Sequence, residues 1–241
     1  MEFHPADKRE AKIKLGLNPD EKIVLQLGRM VPRKGVDNVI RSIASLLKIK
    51  SIPLKLLIVG GESDEPDPVK TPEIGRLKEI AGAEKIADKV IFAGRKNRQQ
   101  LIDYYNAADV FVSTPWYEPF GITPLEAMAC GTPVIGANVG GIKYSVLHGK
   151  TGFLVPPKEP EILGQRILSA LCSREVLQEL SANALEHVNK YFRWDTVTWQ
   201  IAELYSQVKK DKKDLTRKIQ MVFFRIMDSL RIRNKKMPEL K

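Results

Sequence analysis

Ile23-Val24-Leu25-Gln26-Leu27-Gly28-Arg29-Met30-Val31-Pro32-Arg33-Lys34-Gly35 begins as an apolar run, stops at a glycine, crosses a loop with three cations and reaches a second glycine. A stretch of helical period follows, with Val36, Val39, Ile40, Ile43, Leu46 and Leu47 on one face. The same rhythm repeats along the chain. Residues 54–59 (LKLLIV) end at Gly60-Gly61, 90–93 (VIFA) at Gly94, and 110–113 (VFVS) at Thr114-Pro115. Residues 134–135 lead to Gly136, and 152–155 (GFLV) end at Pro156-Pro157. Such runs of Val, Ile, Leu and Phe suit strands covered on both faces. Helical segments between them imply parallel crossovers. The expected fold is α/β: a Rossmann-like, six-stranded parallel sheet with helices on both faces, followed by C-terminal helices near 159–171, 173–191 and 194–208.

Composition is consistent with this. Hydrophobic residues make up 43% of 241 and charged residues 28%, close to globular averages. Two cysteines, Cys130 and Cys172, exclude a disulfide framework, and three histidines far apart in sequence suggest no metal site. No apolar run reaches the ~18 residues of a membrane span. Early charges, Glu2, Asp7, Lys8 and Arg9, break up any signal peptide, so a cytoplasmic setting is expected. The net charge of +10 is concentrated at one end. Residues 209–241 hold 12 Lys and Arg against 4 Asp and Glu, leaving 27 against 25 in the first 208. The boundary expected from this contrast separates a body, 1–208, from a basic tail, 209–241. With a nearly neutral body and no aromatic RNA-binding signature, no nucleic-acid partner is expected.

Ligands of open parallel sheets bind beyond the strands' C-terminal ends. The loop 28–35 has a glycine at each end and feeds a helix, whose first N–H groups favour anions. Arg29 and Lys34 would add a planar fork and a point charge. A solvated basic turn is the competing reading. The segment Pro115-Trp116-Tyr117-Glu118-Pro119-Phe120-Gly121-Ile122-Thr123-Pro124-Leu125-Glu126 follows the fourth strand and enters a helix. Its carboxylates can accept hydrogen bonds from vicinal sugar hydroxyls, and Gly121 lets backbone approach a ligand. Here the competing reading makes Glu118 a helix cap and Glu126 a solvated charge. Gly140-Gly141 and the bend around His148 read as turns, and Cys130 as a small core residue. The proline-rich stretch 63–72 reads as a long surface loop.

Taken together, LGRMVPRKG (27–35), EPFGITPLEAMACGTPVIGANVGG (118–141) and HGKTGFLVPP (148–157) resemble the C-terminal, donor-binding domain of glycosyltransferase family 4. That family comprises retaining, metal-independent enzymes of the GT-B fold. The resemblance covers about residues 3–208, and Glu118 and Glu126 match its E-x7-E pattern. It implies transfer of a hexosyl group from a nucleotide sugar to an acceptor hydroxyl, with no cofactor and no metal. It implies that Arg29 and Lys34 clamp the donor diphosphate, Glu118 holds the hexose and Glu126 the ribose. Backbone N–H groups of Phe120, Gly121, Ile122 and Thr123 would contact sugar and phosphate, and Gly28, Gly60, Gly61, Arg95 and Leu101 would line the nucleotide. The glycine pair after the second strand and the insertion that follows look like the sucrose-phosphate synthase and inositol-phosphate glycosyltransferase branch, whose donors are UDP-linked.

Residues 2–5 resemble the end of the family's interdomain linker. By that resemblance the N-terminal acceptor domain is missing, Met1 is a cut, and the chain is an inactive half enzyme. A stand-alone nucleotide-sugar-binding or scaffold module is the alternative. The tail is expected to form a basic amphipathic helix, with Leu215, Ile219, Val222, Phe223, Ile226 and Leu230 on one face. Packing on protein, self-association and an anionic membrane surface compete as its role.

Overall fold

The computed structural model describes residues 2–210 together with 221, 222 and 225. The strands are β1 (Lys22–Leu27), β2 (Leu54–Val59), β3 (Val90–Gly94), β4 (Val110–Ser113), β5 (Val134–Ala137) and β6 (Gly152–Val155). The helices are α1 (Lys8–Lys14), α2 (Val36–Ile49), α3 (Pro72–Ala83), α4 (Arg98–Ala107), α5 (Ile122–Ala129), α6 (Ile142–Ser145), α7 (Pro160–Cys172), α8 (Arg174–Tyr191) and α9 (Trp194–Lys210). All strands pair in parallel, in the order β3-β2-β1-β4-β5-β6. This is the expected Rossmann-like sheet. Its strand order reverses between β1 and β4, which opens a crevice at their C-terminal ends.

The sheet is a product of burial. Ile23, Val24 and Leu25 of β1 are fully buried, as the central strand of a doubly covered sheet requires. Val24, Leu54, Leu56 and Ile58 join a core with Val36, Val39, Ile40, Ile43 and Leu46 of α2. Ile74 and Leu77 of α3, and Leu163 and Ile167 of α7, complete it. Each such side chain stabilises the fold by about 1.5–3 kcal/mol. Elsewhere Phe3, Tyr105 and Phe111 stack edge to face, with centroids 5.6 and 5.7 Å apart.

The end of the sheet away from the crevice is tied by charge. Asp109, at the start of β4, accepts hydrogen bonds from Ile23 N–H at 2.9 Å and from Lys12 Nζ at 3.0 Å. Burial pushes its carboxyl up, but Lys8, the Ile23 N–H and Lys12 outweigh that and hold it below its ordinary value. Lys12 is itself only 3% exposed. α1, which carries it, is thereby tied to the ends of β1 and β4.

The chain divides into two compact units, 1–186 and 187–241. The charge contrast places a boundary at 208/209 because it follows the basic residues, whereas compactness follows packing. The first unit contains the whole sheet. In the second, the His187 ring packs on Tyr191 and Phe192, with centroids 5.2 and 5.4 Å away, and α9 exposes Trp194, Trp199 and Tyr205. The amphipathic helix expected over 209–241 lies outside the described residues except at 209–210, 221–222 and 225. No helix among the described residues is long and apolar enough to cross a membrane.

Candidate functional site

Two loops meet over the β1/β4 crevice. The first leaves β1 at Gly28. Met30 is buried and braces it against the end of β2, where a Cβ on Gly60 would stand 2.7 Å from Met30 Cε and 2.0 Å from the Gly28 carbonyl oxygen. A 3-10 turn over Pro32–Lys34 ends at Gly35, whose φ of 65° starts α2. Only glycine adopts that conformation freely, and a Cβ there would lie 2.1 Å from the Thr114 carbonyl oxygen. Trp116 N–H donates to the Arg33 carbonyl at 2.9 Å, and Thr114 Oγ1 donates to the Gly35 carbonyl at 3.1 Å. The loop after β1 is therefore bonded to the loop after β4.

That contact brings the charges together. Lys34 Nζ donates to Glu118 Oε2 at 2.5 Å, with both side chains largely buried. Arg29 is exposed on the same loop. Glu118 therefore does not cap the helix. The N-cap of α5 is Gly121, at φ 86°, with no side-chain hydrogen bond to the first turn. The N–H groups opening α5 stay free of side-chain capping and face no acidic residue in that turn, a setting that favours an anion.

Glu126 lies one turn further along α5 and is not a solvated charge. Its Oε2 accepts from Tyr105 Oη–H at 2.8 Å, and Oε1 is 3.8 Å from Arg98 Nη2. Burial pushes its carboxyl up, against the opposing pull of Tyr105 and Arg98. Burial and the neighbouring Glu126 push the Tyr105 hydroxyl well above its ordinary range, so it stays a donor. Arg98, Leu101 and Tyr105 share one face of α4 at three- and four-residue spacing. Leu101 thus falls between the two groups that flank Glu126.

Arg95 is exposed at the end of β3, two strands from the crevice, and its backbone N–H donates to the Ser63 carbonyl at 2.7 Å. The loop after β2 is an ordered cover on this side. Thr71 Oγ1 closes it by accepting from Glu62 N–H at 3.0 Å, and Lys96 Nζ donates to the Asp64 carbonyl at 2.9 Å. Gly60 and Gly61 lie beneath its start. Phe120 and Ile122 are exposed at the rim, with Gly121 buried between them.

Three groups escaped the sequence reading. Gly140 and Gly141 are more than a turn: a Cβ on either would lie 1.8 Å from the Glu118 carbonyl oxygen or 2.2 Å from that of Phe120. They form the floor of the 118–121 loop, and Gly141 N–H donates to the Glu118 carbonyl at 2.8 Å. Lys158, in the loop after β6, sits 4.3 Å from the centroid of the Trp116 ring. Tyr105 and Arg98, the partners of Glu126, lie in an ordinary amphipathic helix and carry no motif. Cys130 is buried as expected, with its thiol pushed up to about 12 by burial. His148 is exposed, and its Nδ1 accepts from Leu154 N–H at 3.1 Å.

The family described as Glycosyl transferases group 1 matches residues 7–187. The chain belongs to that family. Three similar proteins place this group 1 domain further. D-inositol 3-phosphate glycosyltransferase 2 of Catenulispora acidiphila is 34% identical over 216 residues, which are 88% of this chain and 49% of that protein. Sucrose-phosphate synthase from Thermosynechococcus elongatus superposes with a TM-score of 0.75 at 35% identity, over 87% of this chain and 50% of that one. Anabaena Alr3699/HepE, solved in complex with UDP and glucose, superposes with a TM-score of 0.73 at 26% identity, over 85% and 53% respectively. The group 1 domain has the Rossmann-like fold of GT-B glycosyltransferases, and it spans about half the length of the curated relatives it matches.

Proposed function

We propose that the chain is the donor-binding half of a retaining, metal-independent hexosyltransferase of glycosyltransferase family 4, taking a UDP-linked hexose of the UDP-glucose type. The observation that carries this reading is the Lys34–Glu118 pair at the β1/β4 crevice, beside the uncapped start of α5. A diphosphate there would meet the Lys34 ammonium, the Arg29 guanidinium and the first N–H groups of α5. A hexose attached to it would meet Glu118, and a ribose Glu126. The complex of a structural relative with UDP and glucose supports the same donor class.

In that reaction the bond between the anomeric carbon and the diphosphate oxygen breaks, and negative charge grows on the diphosphate. Arg29 and Lys34 would stabilise the growing charge in place, which is electrostatic catalysis by preorganised cations. The acceptor hydroxyl loses its proton as it bonds to the anomeric carbon on the face the diphosphate leaves, and the departing phosphate oxygen takes that proton. The acceptor itself would be held by a second half. Orienting two reactants in one cleft accounts for about 7–11 kcal/mol of barrier, so this chain alone is expected to bind donor without transferring it. Calorimetric titration with UDP and UDP-glucose, paired with a transfer assay, tests both statements. A folded chain that binds neither at millimolar concentration removes the donor assignment, and transfer to a simple acceptor removes the division of labour.

A further inference from the structure

One oxygen of Glu126 is hydrogen-bonded and the other is faced by a cation, and the first residues of the chain set both partners in place. Oε2 takes the Tyr105 hydroxyl proton at 2.8 Å, and Oε1 lies 3.8 Å from Arg98 Nη2. Arg98 Nε is in turn 2.6 Å from Glu2 Oε2, and its guanidinium lies 5.3 Å from the centroid of the Phe3 ring. Phe3 is 5% exposed and meets Tyr105 edge to face, so the Tyr105 ring is clamped between Phe3 and Phe111. Asn106 then fastens the segment from both sides. Its Nδ2 donates to the His4 carbonyl at 3.1 Å, and its Oδ1 accepts from Ala6 N–H at 2.7 Å. Residues 2–6 therefore lie along α4 by named bonds.

The carboxylate so held retains capacity. An ionised carboxylate has about four acceptor positions; Tyr105 takes one, and Arg98 stands near the other oxygen at longer range. The Glu126 side chain is still 15% exposed. Its free lone pairs are oriented by two neighbours, and each of those is oriented by residue 2 or 3.

We propose that residues 2–6 are a positioning strap: Phe3 and Glu2 set Tyr105 and Arg98, and these aim the Glu126 carboxylate at the vicinal hydroxyls of a ribose. Nucleotide affinity then answers to residues that never touch the nucleotide, and strain on this segment is felt at the site. The inference rests on the reading of Glu126 as the ribose-binding carboxylate.

The test titrates the 241-residue chain with UDP and with 2′,3′-dideoxy-UDP, comparing wild type with Tyr105→Phe, Phe3→Ala, Phe3→Leu and Glu2→Gln. Hydrogen bonds to a charged group support a preference for UDP of about tenfold or more in the wild type. Tyr105→Phe keeps the ring and is expected to reduce that preference to about twofold. Phe3→Ala is expected to reduce it several-fold, Phe3→Leu to restore most of it, and Glu2→Gln to reduce it about twofold. Affinity for 2′,3′-dideoxy-UDP, which lacks both hydroxyls, is expected to hold within about twofold in all variants, which also shows that they are folded. A wild-type preference left intact by every variant overturns the strap and leaves the ribose assignment standing. Equal loss of both ligands makes the segment merely structural and also overturns it. A wild type that does not distinguish the ligands, or binds neither, removes the ribose assignment and the strap with it.

Discussion

Lys34 and Glu118, 84 positions apart in sequence, form a hydrogen-bonded ion pair of 2.5 Å where the loops after β1 and β4 meet. Each is the other's counter-ion in a largely buried setting, so neither can be altered without changing what the other offers a ligand. Removing one member of such a pair exposes the other's charge.

Replacing Lys34 by Ala is expected to weaken UDP and UDP-glucose alike by about tenfold or more, since both present a diphosphate and charge-assisted hydrogen bonds are worth roughly 1.5–3 kcal/mol. Glu118→Gln acts in the opposite sense on UDP. It keeps the shape of the side chain and releases the Lys34 charge, so UDP affinity is expected to hold or rise while the added affinity from glucose disappears. Calorimetry on the two variants with the two ligands checks this. Unchanged UDP affinity in Lys34→Ala would sink the diphosphate clamp.

The Glu126 carboxyl carries a pH signature. Burial raises it from an ordinary value of 4.5. A carboxyl with a folded-state pKa above its unfolded one holds a proton that the unfolded chain has lost, so its contribution to stability declines as pH rises through the interval between the two values. Ribose hydroxyls need the ionised form as acceptor. UDP affinity is therefore expected to climb with pH above about 4.5, over the same interval in which stability falls. Glu126→Gln is expected to flatten both trends, raise the thermal midpoint at neutral pH and weaken UDP. A UDP affinity in the wild type that does not change with pH across that interval would count against the role of Glu126.

The floor of the sugar loop can be tested without touching a charge. In Gly141→Ala the new methyl would stand 2.2 Å from the Phe120 carbonyl oxygen, a backbone atom that no side-chain rotation can clear. The 118–121 loop must move. The expected result is a loss of the UDP-glucose advantage over UDP, with UDP itself weakened by less, because Arg29 and Lys34 stand on the other loop. Ligand titration, with circular dichroism to confirm folding, measures this.

At the opposite end of the sheet, Asp109→Asn is expected to cost about 3–5 kcal/mol, because it leaves the buried Lys12 ammonium without its counter-charge. The same residue sets an acid limit. Its carboxyl is held below the ordinary value, so its stabilisation is complete above the unfolded-state pKa and is lost as pH falls through the folded one. Chemical denaturation at neutral and acidic pH checks both. A variant as stable as wild type at neutral pH, or equally acid-sensitive, would contradict the assignment.

What the sequence determined by itself is the sheet and the loops that end its strands. A strand buried on both faces is predominantly apolar, the buried Gln26 of β1 aside, and stops where the chain turns, so all six strands are legible as apolar runs that end in or lead to glycine or proline. Lys34, Glu118 and Gly121 are legible as candidates because they fall in those turns, and Glu126 because it follows Glu118 at the family's motif spacing. Only the tertiary structure decided what each charge faces. Lys34 meets Glu118 because strand order places β1 beside β4, and no local signal records that pairing. Tyr105 carries no motif in the sequence. Its hydroxyl acquires a role only because α4 and α5 bring it to 2.8 Å from Glu126. Gly140 and Gly141 read as a turn because the need for a missing side chain lies in another loop, folded onto them from 20 or more residues upstream. Local propensity is written in neighbouring residues, whereas charge pairing and close backbone approach depend on which strands the whole core places side by side.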